Sequence, residues 1–170
     1  WVALSDIGDA AHKQLKNAST NKQVEIATAC ARALAKLHND DRWHGRPALR
    51  DLTYQNGNVG FLDFEEDVGA AMPLVARQAR DVVVFFHNLM RFCAVDSIAA
   101  QQAVACYKKQ APISVLQEVE LFYQRSTWLK KLALLLSGID NREVKQANGM
   151  YICLEALLAE NEQALLPVHN

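Results

Sequence analysis

An Asn56-Gly57 pair stands between two short apolar runs, inside a stretch that carries no helical period although the chain around it is helical in pattern. Leu52-Thr53-Tyr54-Gln55 and Asn58-Val59-Gly60-Phe61-Leu62 fit two antiparallel strands. Asn-Gly is the strongest local signal for a two-residue type I′ turn, because both central residues need positive φ. The non-helical stretch runs from Asn39 to Pro73 and also holds His44-Gly45 and Pro47. Whatever this chain folds into has to wrap helices around one polar hairpin.

The flanks define those helices. Trp1-Val2-Ala3-Leu4 reads as a short strand that Ser5-Asp6-Ile7-Gly8-Asp9 breaks. Thr20-Asn21-Lys22-Gln23 reads as a capping box, with Gln23 reaching back to the cap. Ile26, Cys30, Ala33 and Leu37 follow at helical spacing to about His38. After Pro73 the pattern is helical to the end. Val82 to Cys93 is apolar nearly all round and predicts a central, buried helix. Asp96-Ser97 starts a helix that ends near Pro112, and Ser114-Val115-Leu116-Gln117 reads as a second capping box opening a long helix through Leu136. Gly138 stops it. Asp140-Asn141-Arg142-Glu143 starts the last helix, with Val144, Ala147, Tyr151, Leu154 and Leu158 on its inner face. The expected fold is mainly α, a helical core with one β-hairpin, in a single domain over residues 1–170.

Composition excludes some functions. The chain is 51% apolar and 22% charged with a formal charge of −1, so it lacks the basic stripe that nucleic-acid binding needs. No apolar run approaches the roughly 18 residues of a membrane span. Cys30, Cys93, Cys106 and Cys153 lie outside metal-ligand spacing and inside apolar helical stretches, which reads as small buried hydrophobes in a reducing, cytoplasmic setting. The oligomeric state is not legible.

The polar loop carries the chemistry. It reads His44-Gly45-Arg46-Pro47-Ala48-Leu49-Arg50-Asp51-Leu52, then the hairpin, then Leu62-Asp63-Phe64-Glu65-Glu66-Asp67. A helix ending in Leu-His, a His-Gly turn, a tight hairpin and then Asp-Phe-Glu resembles the catalytic region of the protein-kinase-like superfamily. It is nearest to the lipopolysaccharide kinases and to the aminoglycoside- and choline-type small-molecule phosphotransferases. Those carry H-G-D-x-x-x-x-N, a hairpin, then D-F-E or D-F-G. The resemblance is close over Leu37 to Glu66 and topological beyond.

The resemblance implies the C-terminal lobe of an ATP-dependent phosphotransferase. Its substrate would offer a hydroxyl of a sugar, a lipopolysaccharide-type molecule or a small metabolite, and its cofactors would be Mg²⁺ and ATP. The metal acid after the hairpin would be Asp63, and Trp1 to Gly8, with Leu4 and Asp6, would be the strand and hinge that hold the adenine. No Gly-rich loop and no strand with a phosphate-binding Lys are present, which implies that the N-terminal lobe is missing and that the chain is a fragment of a longer protein.

Two registers are open. In one, Arg50-Asp51-Leu52 plays the kinase R-D-L, so Asp51 is the base and Asn56 the metal ligand. In the other, His44-Gly45-Arg46 plays H-G-D, so Asp51 takes the metal-Asn position and Arg46 stands where the catalytic Asp would be. The second is favoured, because a strand, turn and strand fit between Asp51 and Asp63 but not between Asn56 and Asp63. Asp51 suits a hard cation. Arg46 cannot accept a proton and would hold a phosphate instead, or serve as an ion-pair partner. Catalysis then falls to a nearby carboxylate such as Asp51, or is lost, which leaves a degenerate module binding a nucleotide or a partner protein; a plain helical scaffold is the remaining reading. Plainer roles are a turn residue for Asp63, a surface strand residue for Asp51, a ring bonded to loop backbone for His44, a helix cap for His38 and a helix-dipole acid for Asp81, which in this superfamily can instead anchor the loop backbone. Asp51 and Asp63 are expected at the same end of the hairpin.

Overall fold

In chain order the elements are β1 (Asp9–Ala10), α1 (Ala11–Lys16), α2 (Thr20–Asn39), β2 (Leu52–Gln55), β3 (Asn58–Phe61), α3 (Leu74–Leu89), α4 (Ile98–Gln110), α5 (Ile113–Arg125), α6 (Thr127–Leu135) and α7 (Arg142–Leu158), with a 3₁₀ turn at Leu136–Gly138. They come from a computed structural model that describes residues 8–64, 72–138 and 141–159. The fold is mainly α, as expected. The expected strand at Trp1–Leu4, with Leu4 and Asp6, lies outside the described residues, as do Glu65, Glu66 and Asp67.

The hairpin forms where Asn56-Gly57 places it. Asn56 has φ 49° and Gly57 φ 86°, the left-handed pair that a type I′ turn requires. Register runs Leu52↔Phe61 through Gln55↔Asn58, so Leu52 faces Phe61 rather than Leu62. A third strand joins it: Asp9 pairs with Tyr54 and Ala10 with Thr53. Two residues carry no periodicity, which is why this strand and the one-and-a-half-turn α1 after it are absent from the pattern. Gly8 ends the strand at φ 88°, and a Cβ there would lie 2.7 Å from the Tyr54 carbonyl oxygen. Only glycine fits that approach.

The core lies between α2 and the helices after the hairpin. α2 packs on α4; α2 buries Ala27, Ala31, Leu34 and Ala35, and α4 buries Ala99, Ala103 and Tyr107. Small residues on both sides let the two helices approach closely. α3 buries Val82, Phe85, Phe86 and Leu89 completely and packs on α5 and α7. It is central, but it starts at Leu74 and stops at Leu89, short of Cys93.

Three local expectations are corrected. Gln23 does not close a capping box: Ser19 is the N-cap without a side-chain bond, and the Gln23 amide donates to the Leu15 carbonyl, tying α2 to α1. The helix expected from Ser114 to Leu136 breaks at Ser126 into α5 and α6, and it starts directly after Pro112. Ser126 is buried and its hydroxyl donates to the Tyr123 carbonyl, ending α5 by side-chain competition for its own backbone. On α7 Tyr151 and Leu154 are buried as expected and Leu158 packs partly buried on the core, but the buried face also takes in Gln146, Gly149, Met150, Cys153 and Leu157, while Val144 and Ala147 are half-buried. No helix among the described residues is long and apolar enough to cross a membrane.

All four cysteines are free thiols; Cys30, Cys93 and Cys153 are buried and Cys106 is half-buried. Burial pushes Cys30 and Cys153 up to about 12 and Cys93 to about 11. The thiolate is the reactive form. A thiol reagent at neutral pH should therefore modify one sulfur per folded chain quickly, Cys106, and all four after denaturation. Rapid modification of Cys30 in the folded chain would contradict this core.

Candidate functional site

The loop between α2 and β2 is held in place by one face of α3. Asp81, fully buried, accepts the backbone N–H of His44 at 2.6 Å and of Gly45 at 2.9 Å. Gln78 donates to the His38 carbonyl at 2.9 Å and the Arg42 carbonyl at 3.0 Å. Arg80 donates to the Gly45 carbonyl at 2.9 Å, and the Arg77 guanidinium lies 4.5 Å from the Trp43 ring centroid. Farther along, Asn88 Oδ1 accepts the Leu49 N–H at 2.9 Å. A loop tied through several backbone groups to one helix is fixed in space.

Asp81 sits in the middle of α3, so the helix-dipole role at an N-terminus does not apply. His38 is not a cap either. Its Nδ1 is 2.6 Å from the Tyr107 hydroxyl and its Nε2 is 3.5 Å from Asp81 Oδ2, all of them buried. Burial and the Asp81 charge push the Tyr107 hydroxyl far above its ordinary range, so it keeps its proton. Tyr107, His38 and Asp81 thus form one buried hydrogen-bonded chain. α4, α2, α3 and the loop are linked through this one carboxylate.

Within the clamped loop, the His44 Nδ1 accepts the Arg46 N–H at 3.3 Å. Its ring stacks on Phe64, with centroids 4.8 Å apart and planes 23° apart, and Phe61 adds a tilted contact at 5.6 Å. His44 Nε2 is buried without a hydrogen-bond partner among the described residues. Phe64, just past β3, thus closes over the residue at the start of the loop.

The two acids meet on Arg46. Its Nη2 donates to Asp63 Oδ2 at 3.3 Å, and its Nε lies 3.8 Å from Asp51 Oδ2, an ion-pair distance too long for a hydrogen bond. Arg50 Nε donates to the same Asp51 oxygen at 3.3 Å. The hairpin brings this about: Leu62 N–H donates to the Asp51 carbonyl at 2.8 Å, one step past the Leu52–Phe61 pair. Asp51 and Asp63 therefore flank the open end of the hairpin. Asn56 is at the other end, exposed, and a four-residue strand spans roughly 10 Å or more. Of the two registers, only the one with Asp51 in the metal-Asn position places its two metal residues together.

The environments of the acids differ. The Asp51 side chain is 11% exposed and that of Asp63 68%. Asp63 has φ 54°, a left-handed conformation that Asp tolerates better than most residues and that turns its carboxylate back toward the loop. Two carboxylates on a rigid base are hard oxygen ligands of the kind Mg²⁺ takes, and Mg²⁺ is usually held by one or two carboxylates with phosphates and water completing the shell. In type the two carboxylates are donors such an ion takes, and the Arg46 guanidinium is their shared counter-cation. Among the described residues no group of three or more acidic, His or Cys side chains converges as a metal site; this pair has two.

Gln78, Arg80, Asn88 and Tyr107 are the positioning residues that patterning does not single out. A signal exists: Gln78, Asp81, Phe85 and Asn88 form an i, i+3, i+7, i+10 stripe, which places polar groups on the buried side of an apolar helix. Polar groups there need partners.

No described protein family matches the chain, and no solved structure matches it. An uncharacterized protein of Haemophilus influenzae is 31% identical over 147 residues, covering 85% of this chain and 60% of the relative. The chain thus spans well under two thirds of the length of that relative.

Proposed function

We propose that the chain is the substrate-side lobe of a kinase-like phosphotransferase, in which Asp51 and Asp63 hold the Mg²⁺ of Mg²⁺-ATP. The observation that carries this reading is the convergence of these two acids beside a loop whose backbone Asp81 clamps. That is the arrangement the H-G-D…D-F-E resemblance requires, and four free cysteines suit a reducing, cytoplasmic setting. The ion would neutralise the triphosphate. Asp63 and Asp51 would fix its position, Asp51 being also the buried carboxylate nearest the place where an acceptor hydroxyl would have to be oriented. The loop clamp keeps both acids aligned without reorganisation. The acceptor would be a hydroxyl of a sugar, a lipopolysaccharide-type molecule or a small metabolite.

Arg46 supports a second reading. It stands where a proton-accepting Asp would be, and its guanidinium already pairs with both acids. A module of this kind binds a nucleotide or a partner without turnover. The test is ATP consumption by the protein as its gene encodes it, with Arg46→Ala alongside. If Arg46 swings onto a phosphate in a working enzyme, the substitution removes a charge-assisted contact and lowers turnover about tenfold to a hundredfold. Wild-type protein that binds Mg²⁺-ATP and never consumes it establishes the degenerate module instead.

A further inference from the structure

A second cluster of like charges faces the acid pair from the other side of Arg50. His12 and Lys16 of α1, Arg50 of the loop, Asn88 and Arg91 at the end of α3, and Arg142 at the start of α7 line one cleft of about 530 Å³. They come from four separate parts of the chain, so the fold, not a local run of sequence, gathers them. No described acid lines the cleft, and Lys16, Arg91 and Arg142 make no ion pair among the described residues. In a protein of formal charge −1, four cations gathered with one described acid among their partners, Asp51 on Arg50, are a local excess. Arg142 moreover occupies the first position of α7, where the helix dipole disfavours a cation.

The cleft also has the fittings of a small-molecule site. Phe92 supplies an apolar wall, with the His12 ring 6.1 Å and the Arg91 guanidinium 5.9 Å from its ring centre. His12 Nδ1 is buried with no hydrogen-bond partner among the described residues. The volume falls within the range of small-ligand pockets. Arg50 joins the cleft to the chemistry, because its Nε is on Asp51 Oδ2.

We infer that this basic cleft binds the anionic group of the acceptor, a phosphomonoester on a hydroxylated molecule such as a sugar phosphate, while the acceptor's hydroxyl reaches the Asp51–Asp63 pair. The inference rests on the phosphotransferase reading and names its substrate class. Arginine forks match phosphate oxygens in pairs, and Arg91 and Arg142 enter from opposite elements, so they grip from two directions. The like-charge repulsion of the empty cleft is relieved when a dianion enters.

Calorimetric titration tests it with glucose 6-phosphate against glucose, and with phosphatidylcholine vesicles with and without phosphatidic acid, so that soluble and lipid-borne phosphates are separated. The expected result is binding of glucose 6-phosphate and not of glucose, weakened at least tenfold by Arg91→Gln with Arg142→Gln and weakened by added salt. Arg91→Lys should retain most of the affinity, and Lys109→Gln with Lys131→Gln, an equal loss of charge outside the cleft, should change it less than twofold. Thermal unfolding midpoints confirm that each variant is folded. Binding to phosphatidic acid vesicles alone, with the same dependence on Arg91 and Arg142, also supports the cleft and assigns a lipid-borne acceptor. Equal affinity for glucose, or affinity indifferent to these arginines, overturns it. Mg²⁺-ATP titration in the same samples separates the two claims. Nucleotide binding without sugar-phosphate binding sinks this inference alone. Arginine-dependent phosphate binding in a protein that ignores Mg²⁺-ATP removes the phosphotransferase, and with it the assignment of the bound molecule as an acceptor.

Discussion

Asp63→Ala is expected to abolish measurable binding of Mg²⁺-ATP. Asp63 is the more exposed of the two converging acids, and its left-handed backbone holds it against the Arg46 guanidinium beside Asp51. Removing it strips one charge and one oxygen ligand from a site that has two. With Arg46 displaced, the two carboxylates beside Arg50 keep a net charge of −1, whereas the single carboxylate left by Asp63→Ala is cancelled by Arg50. The fold should hardly change. The Arg46–Asp63 pair is solvent-exposed, and such pairs contribute about 0–1 kcal/mol. The combination is diagnostic: affinity lost, with a thermal midpoint within a few degrees of wild type. Titration calorimetry and a thermal melt read both. Undiminished Mg²⁺-ATP affinity in Asp63→Ala would remove Asp63 from the site.

Asp81→Ala is expected to be the most destabilising single change in the loop region. The Asp81 carboxylate is wholly buried, and two backbone N–H groups, of His44 and Gly45, end on it. Alanine leaves both donors dry, at a cost of about 1–3 kcal/mol each. It also leaves the His38 Nε2 edge facing a void. A total of roughly 3–5 kcal/mol is a large part of the 5–15 kcal/mol that holds a domain together. With a urea slope of about 1–3 kcal/mol per molar, the unfolding midpoint should fall by about 2 M. An acid serving only a helix dipole would cost less than about 1 kcal/mol. Chemical denaturation therefore decides between clamp and dipole. A midpoint shift below about 0.5 M, on the same slope, would contradict the clamp.

Much of this fold is legible in the residues because its strongest signals are local. Asn56-Gly57 specifies its turn through backbone geometry alone, and the two strands follow within one residue. α2, α4 and α7 announce themselves by apolar spacing and by Ser97 and Asn141, both of which do cap their helices. What stays hidden depends on contacts between distant segments. Thr20 and Gln23 satisfy a capping pattern, yet the Gln23 amide finds the Leu15 carbonyl nearer once α1 packs alongside. The break at Ser126 has no Gly or Pro to mark it; it comes from a buried hydroxyl bonded to its own helix. β1 is two residues long and exists only because the hairpin edge is there to pair with it.

The same division holds at the site. Asp51 and Asp63 are legible because a hairpin of known register must bring its two flanks together. The role of Arg46 is not: its position in the motif is read from sequence, but that it spans both acids depends on where the Asp81 clamp sets the loop. Gln78, Arg80 and Asn88 are hidden for a related reason, since their partners are main-chain groups, which have no identity in a sequence. The basic cleft is hidden most deeply, its charges lying as far apart as Lys16 and Arg142.

The central claim is that Asp51 and Asp63 form one cation site at the open end of the hairpin. Mn²⁺, which takes the same oxygen ligands as Mg²⁺ and broadens nearby nuclear resonances, tests it directly. Titrated into isotope-labelled protein in the presence of ATP, Mn²⁺ should broaden the amide signals of Asp51, Leu62 and Asp63 first. Asn56 and Gly57, at the far tip, should stay sharp, and excess Mg²⁺ should reverse the effect. Broadening centred elsewhere on the chain, or none at the open end of the hairpin, would contradict the account.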